Sequence, residues 1–143
     1  MAGPQQFKTD LDETFIIGKD TYFTSIPGGS NFGVAFEDDL DTGYFYAIGV
    51  DQDGVVLDAL HIYNVKDVLF RDAPCKINVL WTENEQIVAL LINDYCHAIF
   101  DFYNKEGFCR NGFPENVGNW VQESSRKLTD EKILEIFPKK DAP

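Results

Sequence analysis

Basic residues are scarce in this chain: 12 Lys and Arg stand against 24 Asp and Glu, giving a formal charge of -12 and an isoelectric point near 4.4. A phosphate backbone or an anionic membrane surface is repelled by such a chain, so nucleic acid and membrane are excluded as expected partners and a basic protein is favoured. Histidine is rarer still, at positions 61 and 97 alone. With no Cys-x-x-Cys and no His-Glu-x-x-His spacing, a zinc site would have to be assembled from residues far apart in sequence. Glycine-rich phosphate loops and nucleophile elbows are missing as well, so the motifs call for no catalytic residue, metal or cofactor. No apolar run is long enough to span a bilayer. The cysteines (Cys75, Cys96, Cys109) are odd in number, and the opening MAGPQQFKTD has neither a basic start nor an apolar stretch. Together these point to a reducing cytoplasm rather than to secretion or a disulfide framework.

What the chain does have is β-forming and aromatic residues, at 44% hydrophobic and 14% aromatic content. The clearest signal is Phe36 to Val65, which reads as two long strands joined at Asp53-Gly54, a dipeptide that accepts the positive φ angles of a two-residue type I′ turn. That turn would set Val50 opposite Leu57, Ile48 opposite Ala59, Tyr46 opposite His61 and Tyr44 opposite Tyr63, all on one face. Phe45, Ala47, Val56, Leu60 and Ile62 take the other. Since both faces are largely apolar or aromatic, the hairpin should be central in a sheet covered on both sides.

Short β-rich runs at Thr14–Gly18, Thr21–Ile26 and Phe32–Phe36 precede the hairpin, and Lys76–Trp81 follows it. Ile87–Ile92 and Cys96–Tyr103 then form a second hairpin, with Ala98, Phe100 and Phe102 facing one way and His97, Ile99, Asp101 and Tyr103 the other. Strands linked by short turns without intervening helices imply an antiparallel meander. Val117, Trp120 and Val121 recur at helical spacing after Pro114 and Glu115. Thr129 can cap a second helix whose stripe is Ile133, Leu134 and Phe137. The expected fold is α+β: a predominantly antiparallel β-sheet meander with one or two C-terminal helices packed on it. Residues 14–138 are expected to form a single domain, with 1–13 flexible and 139–143 frayed.

FEDDLDTGYFYA, LDALHIYNV, LLINDYCHAIFDF and EGFCRNGFP resemble the signature blocks of an uncharacterised bacterial family catalogued as a domain of unknown function. The resemblance spans Phe32 to Pro114. It implies a small bacterial protein and carries no established activity or catalytic residues with it.

Two functional readings follow. In the first the protein is non-catalytic and binds a basic protein, as an immunity-type inhibitor of a basic toxin would. Glu37, Asp38, Asp39 and Asp41 would form an electrostatic lip beside aromatic contacts from Tyr44, Tyr46, His61 and Tyr63. An uncovered aromatic face could equally be buried in a homodimer. In the second, a small-molecule site or undetected enzyme lies between sheet and helices around Tyr46, His61 and Cys109. Cys109 beside Arg110, with His97 or His61 as base, is the most plausible nucleophile, whereas neighbours Cys96 and His97 point to opposite sides of their strand. Asp39-x-Asp41-x-Gly43 is partly like a calcium loop but lacks the closing bidentate glutamate, so a solvated acidic turn is expected and no metal.

Overall fold

A computed structural model of the chain describes residues 7–28, 30–115 and 120–137. The strands are divided between two antiparallel sheets. β1 (Phe7–Phe15), β6 (Cys75–Thr82), β7 (Ile87–Ile92), β8 (Tyr95–Asp101) and β9 (Glu106–Cys109) form a five-stranded sheet in the order β1-β6-β7-β8-β9. β2 (Thr21–Ser25), β3 (Phe32–Asp38), β4 (Thr42–Gly49) and β5 (Val55–Asn64) form a four-stranded sheet in sequence order. α1 (Asp130–Ile136) is the α-helix among the described residues, so the fold is α+β and mostly antiparallel, with its helix near the C-terminus.

The sheets stack because each turns an apolar face toward the other. Phe45 packs on Phe100, Phe32 on Phe102 and Phe15 on Phe36, with ring centroids 4.7–5.3 Å apart. Trp81, fully buried, fills the gap between them and donates its indole N–H to Ser25 Oγ at 2.9 Å. Ser25 in turn donates to Asp10. Asp10 sits at a bulge in β1, which lets one carboxylate turn toward Ser25 from an otherwise regular strand.

The continuous apolar run of β7 has a simple cause. Val88, Leu90 and Ile92 face the inter-sheet core, while Ala89 lies in a second cluster with Ile99, Phe108 and Leu128, covered by Ile133, Ile136 and Phe137 of the α1 region. Thr129 caps α1 as expected, its Oγ1 accepting from the Lys132 N–H at 3.0 Å. The apolar stripe is Ile133, Ile136 and Phe137; Leu134, expected in it, is 49% exposed because it lies a third of a turn off the contact line.

Three expectations are corrected. Residues 7–13 are not loose: they belong to β1, which pairs with β6 from Phe7↔Thr82 to Phe15↔Cys75. Residues 1–6 and 138–143 lie outside the described residues. A helix beginning at Pro114 or Glu115 is not formed at those residues. From Trp120 the chain alternates inward and outward, with Trp120 and Gln122 buried and Val121 81% exposed, which is the period of an extended strap. Val117, part of the same expectation, lies outside the described residues.

The third correction concerns the hairpin. Asp53 and Gly54 do take positive φ, 60° and 75°, but they end a longer loop that begins with a 3-10 turn over Val50–Gln52. Gly49 therefore pairs with Val55, and bulges at Leu57 and Ile62 shift the register, so Tyr46 faces Ala59 and Tyr44 faces His61. Nor is the hairpin central, since β5 ends the four-stranded sheet. Its outer edge makes two backbone bonds to the C-terminal part of the chain: the His61 N–H donates to Phe113 O at 2.8 Å, and the Trp120 N–H, where the strap begins, to Leu57 O at 3.3 Å. These bonds satisfy part of the edge that a further strand would otherwise pair.

The strap is fixed by charge. Asp58, fully buried, receives both terminal nitrogens of Arg126, at 3.0 and 2.9 Å, and Arg126 also donates to Ala59 O and Gln122 Oε1. Burial pushes the Asp58 carboxyl above its ordinary pKa, and the hydrogen bonds and charge of Arg126 pull the other way. Gly107 lets this pair in, since a Cβ there would stand 2.6 Å from Asp58 Oδ2. Arg126→Met should leave that carboxylate buried without its counter-charge and cost about 3–5 kcal/mol. Urea denaturation at neutral pH measures it, and a loss below about 1 kcal/mol would contradict the assignment.

Candidate binding face

The inner face of the four-stranded sheet meets the other sheet; the outer face carries most of the residues singled out in the sequence. Strand register fixes their arrangement. Tyr22, Glu37, Tyr44 and His61 line up in one row across β2, β3, β4 and β5, and Thr24, Ala35, Tyr46 and Ala59 in the next. Tyr22 is 61% exposed, and Glu37, Tyr44, Tyr46 and His61 are half-buried.

The rings hold one another. Tyr44 stacks on Tyr46 at 5.9 Å and meets the His61 edge at 5.4 Å, and His61 meets Phe113 at 5.9 Å. Tyr46 donates its hydroxyl to Glu37 Oε1 at 3.0 Å. Burial, reinforced by the Glu37 carboxylate, pushes the Tyr46 phenol well above its ordinary range, so it stays a donor. Asn111 Nδ2 lies 2.7 Å from His61 Nδ1, and Asn64 Oδ1 lies 3.1 Å from Nε2. An amide donor on one side and a carbonyl acceptor on the other match a ring protonated on Nε2.

Tyr63 and Asp38 do not belong to this face. The bulge at Ile62 turns Tyr63 inward over Gly43, whose absent Cβ would lie 2.5 Å from the ring. Asp38, fully buried, accepts from Tyr63 Oη at 2.6 Å, the Gly18 N–H at 2.7 Å and the Leu40 N–H at 2.9 Å. Burial, with Asp38 beside it, pushes the Tyr63 phenol far up. Asp38 is a structural carboxylate tying the β1–β2 and β3–β4 connections to β5. Its parity with Val34 and Phe36, which is legible in the sequence, sets it apart from Glu37, Asp39 and Asp41, whereas the clustering of charge alone does not.

Asp39 and Asp41 are exposed at the β3–β4 turn. Asp39 Oδ1 accepts from the Asp41 and Thr42 N–H groups, at 3.0 and 2.8 Å, and these bonds lower its pKa. It braces the turn in addition to carrying charge. Among the described residues no group of three or more His, Cys, Asp or Glu is placed to hold a metal.

Cys109 is fully buried, so it does not share an opening with Tyr46 and His61. Its thiol donates to Asn111 Oδ1 and Phe113 O, both at 3.3 Å, and burial raises its pKa. Asn111 thus stands between Cys109 and His61. Arg110, the expected activator, is engaged elsewhere: it donates to Cys96 O, pairs with Asp130 at 2.9 Å and lies over the Tyr95 ring. Burial likewise pushes the Cys96 thiol up to about 11. Burial thus works against thiolate formation at both sulfurs.

The family model for uncharacterised proteins conserved in bacteria, DUF2251, matches residues 15–137. The chain belongs to this family. An uncharacterised protein from Haemophilus influenzae is 38% identical over 109 residues, covering 74% of this chain and 68% of the relative. No solved structure matches. Among the described residues, this DUF2251 protein has no helix long and apolar enough to cross a membrane.

His97, which the β7–β8 register skips at a bulge between Cys96 and Ala98, has its pKa lowered to about 4 by burial, with the Arg110 charge adding to the effect. Because the ordinary value is 6.5, the unfolded chain takes up this proton first. The stability His97 contributes is present above pH 6.5 and lost as pH falls toward 4, by about 1–3 kcal/mol. Comparing urea midpoints of wild type and His97→Gln between pH 7 and 4.5 should show a shallower decline in the variant; parallel declines would contradict it.

Proposed function

We propose that this DUF2251 protein works by binding a basic protein through the outer face of its four-stranded sheet, in the manner of an immunity-type inhibitor of a basic toxin. One observation carries the reading: the outer side of the other sheet lies under α1, whereas over this face the described contacts are those of Asn111 and Phe113 with His61 at its β5 end. The face presents Tyr22, Tyr44, Tyr46 and His61, with Glu37 inside the patch and Asp39 and Asp41 at the adjoining turn.

Tyrosine is suited to such a surface because it combines large contact area with a polar tip and only two side-chain torsions to fix. Stacking of Tyr44 on Tyr46 and the bond to Glu37 pre-order the patch, which lowers the cost of association. The net charge of -12 favours encounter with a cationic partner, while the desolvated rings hold the complex.

Affinity capture from the source bacterium at low and moderate salt, followed by binding measurements with the purified partner, tests the reading. Tyr44→Ala should weaken the complex by about 2 kcal/mol or more, chiefly by faster dissociation. Asp41→Asn should chiefly slow association and flatten its salt dependence. Retention of full affinity by a Tyr22→Ala, Tyr44→Ala double variant would overturn the proposal, and self-association lost in that variant would assign the face to a homodimer instead.

A further inference from the structure

The edge of β5 is tied to the turn after β9 through one histidine. Gly112, with φ of 69°, closes that turn by donating its N–H to Cys109 O at 3.0 Å. The turn sets the Asn111 amide against the His61 ring, with Nδ2 2.7 Å from Nδ1, while Asn64 Oδ1 lies 3.1 Å from Nε2. The His61 N–H also donates to Phe113 O at 2.8 Å.

The neighbours leave each amide one orientation. The Phe113 N–H can only donate, and it reaches Asn111 Oδ1 at 2.8 Å, so Nδ2 is the end turned to the ring. On the other side the Asp67 carboxylate accepts from Asn64 Nδ2 at 3.2 Å, so Oδ1 is the end turned to the ring. Donation therefore runs one way, from Phe113 through Asn111, His61 and Asn64 to Asp67. The chain is complete only while Nδ1 is bare.

An imidazolium does not fit it. It carries N–H on both nitrogens, and at Nδ1 that proton would face the N–H of Asn111. Turning the amide over would restore an acceptor to the ring and remove it from the Phe113 N–H. Tyr44 of β4 and Phe113 meet the ring, Glu37 lies beyond Tyr44 in the same cross-strand row, and Cys109 lies behind Asn111. Asp41, Lys66 and Arg71 border Asn64, and Glu115, Arg126 and Lys127 share a depression with Asn111. Among the described residues His61 enters no ion pair, so no carboxylate is in place to receive the new charge.

We propose that His61 is a proton-operated latch for the Asn111–Phe113 turn: a proton taken from water at Nδ1 breaks the Asn111 bond and loosens that turn from the edge of β5. The release is local. Cys109, at the base of the turn, is held from its other side, its N–H donating to Arg126 O at 2.9 Å and its O accepting from the Leu128 N–H at 2.7 Å. The base stays fixed while the tip lets go. Because His61 and Phe113 lie beside Tyr44, the latch sets the β5 end of the tyrosine face. That consequence rests on the binding proposed for the face, whereas the latch belongs to the free protein and is measured without a partner.

The test is NMR spectroscopy of the intact protein, with His61 protonation followed through its own Cε1–H resonance. His97, with a pKa of about 4, titrates below the range used. From about pH 8 to 5 the Phe113 amide and the Asn111 side-chain amide should shift with the midpoint of the His61 ring, and the Phe113 amide should lose at least about tenfold of its protection from hydrogen exchange while Leu128 keeps its own. His61→Gln should flatten the titration at both amides. Asn111→Asp should reverse the response, since a carboxylate can accept from the protonated ring and from the Phe113 N–H together: the ring should take up its proton at a higher pH than in wild type, with the Phe113 amide still protected. Amides of Asn111 and Phe113 that ignore the His61 transition, a transition there that survives in His61→Gln, or an equal loss of protection in Asn111→Asp would overturn the proposal.

Discussion

The structure depends on how it treats a buried carboxylate. Asp58 points between the sheets, where an unpaired charge would be driven to neutralise or to unfold its surroundings. Arg126 arrives from 68 residues away to meet it with two hydrogen bonds. That pairing holds the strap from Trp120 onward against β5, seats Trp120 between Phe100 and Phe102, and satisfies part of a strand edge that would otherwise be open to association. Replacing both charges with apolar groups could be as stable; the pair's clearer contribution is to fix which part of the chain lies where.

Asp38 makes a parallel arrangement with neutral donors. A hydroxyl and two backbone N–H groups satisfy it, and it locks the turn end of the hairpin as Arg126 locks the strap end. Between these two fixed points the outer face of the four-stranded sheet is met by Asn111 and Phe113 at its β5 end. α1 covers the other sheet instead, since Ile87, Ala89, Leu91, Ile99 and Phe108 there form an apolar surface that water would not tolerate. The tyrosine face needs no such cover, because each ring carries a hydroxyl or partner that keeps one end wet.

This division explains which features were legible in the sequence. Strand parity was readable: Ala98 and Phe100 face the core while Ile99 faces α1, as their alternation implies. The positive φ at Asp53 and Gly54 was readable from residue type, and so was the Thr129 cap. Loop length was not, because Val50–Gln52 could have continued β4, and the 3-10 turn reflects tertiary context. The bulges at Leu57 and Ile62 carry no sequence mark, yet the second moved Tyr63 from the tyrosine face into the interior. Trp120 and Val121 suggested a helix by spacing, while the buried Gln122 supporting an extended strap was unreadable without its partner Gly107, whose N–H it accepts at 2.8 Å. Two sheets rather than one could not be derived, since antiparallel hairpins fit either arrangement.

The tyrosine face is proposed to be the binding surface and to be covered wherever its partner is present. Hydroxyl-radical footprinting, comparing purified protein with protein in concentrated lysate of the source bacterium, tests this without knowledge of the partner. Tyr103, 79% exposed in the β8–β9 connection, supplies the internal reference. The account predicts that Tyr22 and Tyr44 become protected in lysate while Tyr103 keeps its reactivity. Equal modification of all three tyrosines in both settings would contradict it.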